Sequence, residues 1–178
     1  YSITPANRAA VIKHLREHFV DTPWATSGVL HRGKYDDVGN MTEKPDATNF
    51  ETWVKRWPGA RNYNVFLSFG SYSTGVQRRF CQFKMDTPEF EKAVSSWITW
   101  WVEKLEEWKI EPEQLGLLLV DETHSHEQDQ GIIDWAGVIK AAQPRVTIWE
   151  DPTWHEPWKA LPEMFEACDI LCPNTPMW

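Results

Sequence analysis

The sequence predicts an α/β fold with parallel strands, arranged as part of a (β/α)8 TIM-type barrel. Helical and strand patterns alternate along the 178 residues, and no hairpin signal separates two strands. This alternation favours parallel strands joined by right-handed crossovers. A doubly wound open sheet would show the same alternation. The barrel is preferred because the long connections follow strands, whereas connections after helices, such as Gln143-Pro144, are short.

Each predicted element rests on apolar spacing and on its end signals. Thr4-Pro5 opens the first helix, and Asp86, with Glu89 three residues on, is the expected cap of the longest one. The predicted helices cover residues 4–19, 49–57, 86–105, 132–142 and 156–167. The predicted strands cover 26–30, 63–69, 115–120, 146–149 and 170–172, in an order in which neighbours along the chain are neighbours in the sheet.

Five strands are fewer than a barrel needs, and the sequence stops shortly after the last one. Residues 1–178 are therefore expected to form a single segment of a barrel catalytic domain from which about three strands are missing. Unpaired edge strands are templates for association. We expect the remaining barrel segment or an oligomer partner to cover them.

Composition excludes several classes of partner. The net charge of −8 and the pI near 5.2 argue against nucleic acid and anionic membranes, which need clustered Lys and Arg. No stretch reaches the roughly 18 apolar residues of a membrane span. The first residues lack a signal peptide, a pattern that a mature secreted or periplasmic chain would share. The three cysteines form no CxxC motif, and no cofactor is expected.

The most informative segment is Leu-Gly-Leu-Leu-Leu-Val-Asp-Glu at 115–122. Its apolar run reads as a strand buried on both faces, and Asp121 and Glu122 follow at its carboxyl end, where parallel α/β folds bind ligands. The sequence predicts that the next helix starts only near Gln130 or Gly131, too far on for Asp121 to cap it. Consecutive strand residues face opposite ways, so two adjacent acids can reach one site only where the strand ends. These positions predict catalytic acids.

Other strand ends carry candidate substrate-binding residues. Glu150 and Asp151 form a second acidic pair, although an Asp before Pro is also an ordinary turn starter. Aromatic rings on such loops suit the C–H surface of a sugar, and a packing role is the alternative. The further candidates are His31, Tyr72, His124, Trp149, Trp154 and Asn174.

The motif His124-Ser125-His126 opens a metal alternative. With a neighbouring carboxylate, and with His155 on the next loop, these histidines could ligate Zn²⁺ in a hydrolase. An HxH motif in a polar loop is weak evidence, because exposed loop histidines usually bind nothing. No metal is therefore assigned.

Three short motifs resemble a known family. Leu118-Leu119-Val120-Asp121-Glu122, the strand 146–152 ending Trp149-Glu150-Asp151-Pro152, and Cys168-Asp169-Ile170-Leu171-Cys172-Pro173-Asn174 are similar to the barrel domain of the glycoside hydrolase family 123 type. The resemblance covers roughly residues 50–178. Thr123 stands where that group often has Pro.

The resemblance implies cleavage of β-linked N-acetylhexosaminides with retention, assisted by the substrate's own acetamido group. In this sequence Asp121 would orient that group, and Glu122 would be the general acid/base. A carboxylate can stabilise the positive charge that develops as the acetamido oxygen attacks, and burial beside aromatics such as Trp149 would help Glu122 to keep its proton. The alternatives are a metal-dependent hydrolase using His124 and His126, and a non-catalytic carbohydrate-binding barrel fragment.

Overall fold

The computed structural model describes residues 3–71, 75–76 and 78–174. The helices are α1 (Arg8–Glu17), α2 (Thr48–Arg56), α3 (Pro88–Glu107), α4 (His126–Ala142) and α5 (Pro162–Ala167). The strands are β1 (Trp24–Thr26), β2 (Lys34–Tyr35), β3 (Met41–Glu43), β4 (Tyr63–Ser71), β5 (Gly75–Val76), β6 (Arg79–Phe80), β7 (Phe83–Lys84), β8 (Leu115–Val120), β9 (Thr147–Glu150) and β10 (Ile170–Leu171). Within these described ranges, no helix is long and apolar enough to cross a membrane.

The main sheet has the order β1-β4-β8-β9-β10, and all neighbours on this path are parallel. The prediction of five parallel strands, adjacent in space as in sequence, is confirmed. In the described part of the chain β1 and β10 are the two ends of this order, and the strands do not close into a barrel. The barrel itself therefore remains a proposal.

One face of the sheet is packed against helices and holds the core. Strand β8 contributes Leu115, Leu117 and Leu119, each fully buried. Helices α2, α3 and α4 cover this face with large aromatic side chains, among them Trp101 on α3 and Trp135 on α4. Burying several Trp side chains explains how a chain with many charges still forms an extensive apolar core.

The opposite face of the sheet is concave and partly open. Trp24 on β1 and Trp149 on β9 lie on this face, and their ring centroids are 4.9 Å apart with the rings nearly perpendicular. Three strand spacings in a flat sheet would place β1 and β9 about 14 Å apart. The ring contact therefore indicates that the sheet curls towards this face.

Some predicted boundaries were wrong. The first strand is Trp24–Thr26, and Ser27–Val29 form a 3-10 turn instead of continuing the strand. The expected absence of hairpins also fails, because β2 pairs with β3, β4 with β5 and β6 with β7 in antiparallel fashion. These hairpins lie in the long polar loops, whose sequences lack the apolar alternation that marks a buried strand.

Helix ends also differ from the prediction. Thr87, not Asp86, caps α3 by accepting a hydrogen bond from the Phe90 N–H. Helix α4 begins at His126 with Ser125 as its cap, four residues earlier than the Gln130 start. The predicted helix over 156–167 is broken into a 3-10 turn, Pro157–Lys159, and α5, because Pro162 has no N–H to continue a helix.

Candidate active site

A cleft of about 590 Å³ opens at the carboxyl edge of the sheet, where the loops after β8, β9 and β10 meet. Parallel strands bring the loops that follow them to the same edge, which is where α/β folds bind ligands. The side chains that line the cleft come from these three loops: Glu122, His124, Thr153, Trp154, His155, Glu156, Lys159 and Asn174.

Glu122 belongs to the wall of this cleft and has an unusual backbone conformation. Its φ is +51°, in the left-handed region that costs an L residue about 1–2 kcal/mol. Its N–H donates to Asp151 Oδ1 over 3.0 Å, and its carbonyl oxygen accepts from Thr153 Oγ1 over 3.0 Å. The half-buried side chain accepts a hydrogen bond at Oε1 from Asn174 Nδ2 over 2.9 Å. The loops after β9 and β10 thus hold Glu122, which itself lies in the loop after β8.

Asp121 lies directly after β8 with an exposed side chain. It is not among the side chains that line the cleft. Burial is the main cause of the raised pKa values of both acids at the end of β9, and the nearby Asp121 carboxylate also raises them. The structure thus places Asp121 within electrostatic reach of the edge that carries Glu122.

The two acids at the end of β9 are directed to different environments. The Glu150 side chain lies on the same face of β9 as Ile148, which is the face covered by helices, and it is 0% exposed. Its Oε1 accepts a hydrogen bond from the Leu119 N–H over 2.9 Å. Burial raises the pKa of Glu150 well above its usual value. This buried carboxyl does not reach the cleft, contrary to the substrate-binding position expected for it.

Asp151 is the member of this pair that reaches the loop carrying Glu122. It is half-buried, and its carboxylate accepts the Glu122 amide hydrogen. Burial, together with the charges of Asp121 and Glu122, raises the pKa of Asp151 to about 6. A carboxyl group that titrates near neutrality in a cluster of acids is characteristic of functional sites.

The buried carboxylate of Asp129 connects the loops that form the cleft wall. Asp129 on α4 is 0% exposed and accepts hydrogen bonds from Thr123 Oγ1, Trp154 Nε1 and the Leu161 N–H at 2.7, 3.2 and 3.0 Å. These donors come from the loop after β8, the loop after β9 and the turn before α5. Asp129 therefore fixes the loop that holds Glu122 against the loop that holds Trp154.

The two aromatic candidates, Trp149 and Trp154, lie in different environments. The Trp154 ring lines the cleft, and its N–H is used by Asp129, so the ring is held in one orientation. Trp149 instead packs edge-on against Trp24 on the concave face and is not among the cleft-lining side chains. We expected Asp121, Glu122 and Trp149 to converge on one cleft. Glu122 lines the cleft, whereas Asp121 and Trp149 are not among its lining side chains.

The histidines of the metal alternative are directed at backbone carbonyl groups. His124 Nδ1 lies 2.7 Å from the Glu122 carbonyl oxygen, and His126 Nε2 lies 2.6 Å from that of Lys159. Across the described ranges, no group of three or more His, Cys, Asp and Glu side chains is arranged to hold a metal ion. His124 and His155 both line the cleft.

The remaining candidates lie elsewhere. His31 is exposed, its ring Nε2 is 3.2 Å from Asn49 Nδ2, and its carbonyl oxygen accepts the indole N–H of Trp97 and of Trp101. It is not among the cleft-lining residues. Tyr72 lies outside the described residues. Asn174, which follows β10, does line the cleft.

Sequence reasoning missed two contributors to this site, and it named a third, Asp151, only as half of an acidic pair with Glu150. Asp129 and Thr153 gave no signal, because only the folded chain shows that their partners come from other loops. Asp151 did carry a signal: Val146 and Ile148 alternate with Thr147 and Trp149, so Glu150 continues the buried side and Asp151 the open side. Comparison of the sequence with protein-family models and with curated proteins gave no match.

Proposed function

We propose that this chain belongs to a glycoside hydrolase-like barrel that cleaves β-linked N-acetylhexosaminides by substrate-assisted, retaining hydrolysis. The observation that carries the proposal is the position of Glu122, whose carboxyl group faces a cleft at the carboxyl edge of a parallel sheet and is held there by Asn174. The resemblance of the motifs around Asp121, Asp151 and Asn174 to glycoside hydrolase family 123 supplies the substrate class.

Glu122 is the general acid/base in this proposal. It donates a proton to the glycosidic oxygen as the leaving group departs and later accepts one from the attacking water. Because Asn174 occupies Oε1, the other carboxyl oxygen, Oε2, is the one that can carry the proton. The hydrogen bonds on the Glu122 backbone keep this oxygen aligned between turnovers.

Asp121 orients the acetamido group of the substrate and stabilises the positive charge that develops on it. In a substrate-assisted reaction the acetamido oxygen attacks the anomeric carbon, so the protein needs a stabilising carboxylate and no nucleophile. The position of Asp121 beside Glu122 at the end of β8 supports this division of roles. Trp154, with its indole N–H fixed by Asp129, offers its ring to the C–H face of a sugar.

The test compares substrates with good and poor leaving groups. Glu122→Gln keeps the shape of the side chain and removes the proton donor, so kcat/KM on a poor leaving group should fall by roughly 10²–10⁴. A good leaving group needs less protonation and should lose less. Asp121→Asn should impair both substrates, because it weakens charge stabilisation in the first step. Glu127→Gln, an exposed acid on α4, is the control.

Several results would overturn the proposal. Equal losses for Glu122→Gln on both leaving groups would remove Glu122 from the acid role. Normal turnover of a substrate without the acetamido group would exclude substrate assistance. Activity that is lost in EDTA and recovered with Zn²⁺ would select the metal-dependent alternative, and sugar binding without turnover would select the non-catalytic one.

A further inference from the structure

The backbone of Glu122 needs an external restraint, and one side chain provides it from a neighbouring strand. A residue with a φ of +51° persists only where surrounding contacts determine its conformation. The Glu122 N–H donates to the Asp151 carboxylate over 3.0 Å. Hydrogen bonds to an ionised acceptor are about twice as strong as those between neutral groups.

A second residue of the same loop also contacts this turn. Thr153, two residues after Asp151, donates its hydroxyl to the Glu122 carbonyl oxygen, and its N–H donates to the Thr123 carbonyl oxygen over 2.8 Å. The loop after β9 therefore forms hydrogen bonds with Glu122 on both sides of its Cα, through Asp151 at the N–H and Thr153 at the carbonyl oxygen. Of these two residues, Asp151 is the one with an ionisable side chain.

We propose that Asp151 is a positioning residue for Glu122, holding the left-handed turn that keeps the Glu122 carboxyl group against Asn174 in the cleft. This inference rests on the proposed role of Glu122. It adds a third carboxyl group to the site, one that acts through the Glu122 backbone and does not itself touch the substrate.

This role has a direct pH consequence. Burial and the charges of Asp121 and Glu122 raise the pKa of Asp151 to about 6, and the Glu122 amide opposes this rise. The acidic groups that act on Asp151 are Asp121 and Glu122 from the loop after β8, with Glu150 adjacent to it in the chain. Above that pH the carboxylate holds the Glu122 amide at full strength, and below it the neutral carboxyl group holds it more weakly.

The first measurement is independent of activity. The NMR amide proton shift of Glu122 should follow pH with a midpoint near the pKa of Asp151, about 6, in the wild-type chain. In Asp151→Asn, which retains an oxygen acceptor but does not titrate, this amide should show no such transition. Asp169→Asn is the matched control, because Asp169 accepts the Ile148 N–H in the same way near the amino end of β10.

The second measurement is kinetic and separates positioning from general stability. Asp151→Asn should lower kcat several-fold and leave KM within about twofold, and Asp151→Ala, which removes the acceptor, should lower kcat by roughly 10²-fold, the size expected from a misplaced catalytic group. The drop of kcat on acidification through the wild-type midpoint should be absent in Asp151→Asn. Asp169→Asn should retain the wild-type kcat and pH profile.

The outcomes distinguish the two proposals. If the Glu122 amide titrates with Asp151 but no hexosaminide is turned over, the positioning role stands and the proposed function fails. If the amide transition persists in Asp151→Asn, or if Asp151→Ala keeps the wild-type kcat, the positioning role is wrong whatever the activity. Loss of folding in Asp151→Ala leaves the comparison of Asp151→Asn with the wild type as the decisive one.

Discussion

Glu150 is a buried acid on β9 that hydrogen-bonds to the neighbouring strand β8. Its Oε1 accepts the Leu119 N–H, and its Oε2 has no hydrogen-bond partner among the described residues. A charged carboxylate with an unpartnered oxygen is costly in a buried environment, so the protonated form is favoured in the folded chain.

Glu150 should therefore make stability depend on pH. Since burial raises its folded-state pKa, the folded chain binds more protons than the unfolded chain, and its contribution is greatest below the unfolded pKa and is lost as pH rises. Over the pH range above about 4, the ordinary pKa of a Glu side chain, the unfolding free energy of the wild type should fall relative to that of Glu150→Gln as pH rises. Denaturant titrations across this range provide the measurement.

Glu163→Gln on α5 is the control for this residue, because Glu163 is exposed. Its unfolding free energy should follow the wild type at each pH. A wild-type curve parallel to that of Glu150→Gln would show that Glu150 does not hold its proton on folding.

At the scale of elements, the pairing of β4 with β8 depends on a glycine. Gly116 lies opposite Asn64 in this parallel pair, and a Cβ at position 116 would come within 2.2 Å of Asn64 Oδ1. Asn64 is buried, so its amide has little room to move. Because position 116 has no side chain, the side-chain amide of Asn64 occupies the space next to it on the concave face.

Gly116→Ala should destabilise the chain by about 1–3 kcal/mol, the usual cost of overpacking. The cost should shrink in an Asn64→Ala background, and a double-mutant cycle of unfolding free energies measures this coupling. Gly137→Ala on α4 is the matched control: no atom lies within 4 Å of its added Cβ, so a gain of about 0.5–1 kcal/mol is expected from helix propensity. Equal costs for Gly116→Ala in both backgrounds would exclude the clash.

For the whole molecule, the two ends of the main sheet expose large apolar side chains. Trp24 on β1 is 44% exposed, and Ile170 and Leu171 on β10 are 43% and 40% exposed. Apolar edge strands are sites of association unless another segment or chain covers them. That a remaining barrel segment or an oligomer partner completes the sheet stays a prediction, and these exposed residues are where such a partner would bind.

The 178-residue chain by itself should therefore associate as its concentration rises. Ile170→Lys, which places a charge on the edge, should reduce the mass measured by light scattering. Val38→Lys is the control, because Val38 is 56% exposed but lies outside the main sheet. A wild-type chain that remains a monodisperse monomer at all concentrations would contradict this prediction.

The sequence by itself determined the strand pattern and the position of the first acidic pair. Alternation of helical and strand periodicity predicted five parallel strands in their correct order, since each crossover returns the chain to the adjacent place in the sheet. The apolar run before Asp121 and Glu122 placed both acids at the carboxyl edge. These features depend on residues close together in the chain, so they are visible as local patterns.

Tertiary structure decided which residues meet at that edge. Asp151, Thr153 and Asn174 contact Glu122 from 29, 31 and 52 positions along the chain, and Asp129 joins loops from separate strands. Trp149 contacts Trp24 because the sheet curls, which no local pattern records. The parallel sheet brings the loops after β8, β9 and β10 to one edge, so the composition of the site is a property of the folded chain.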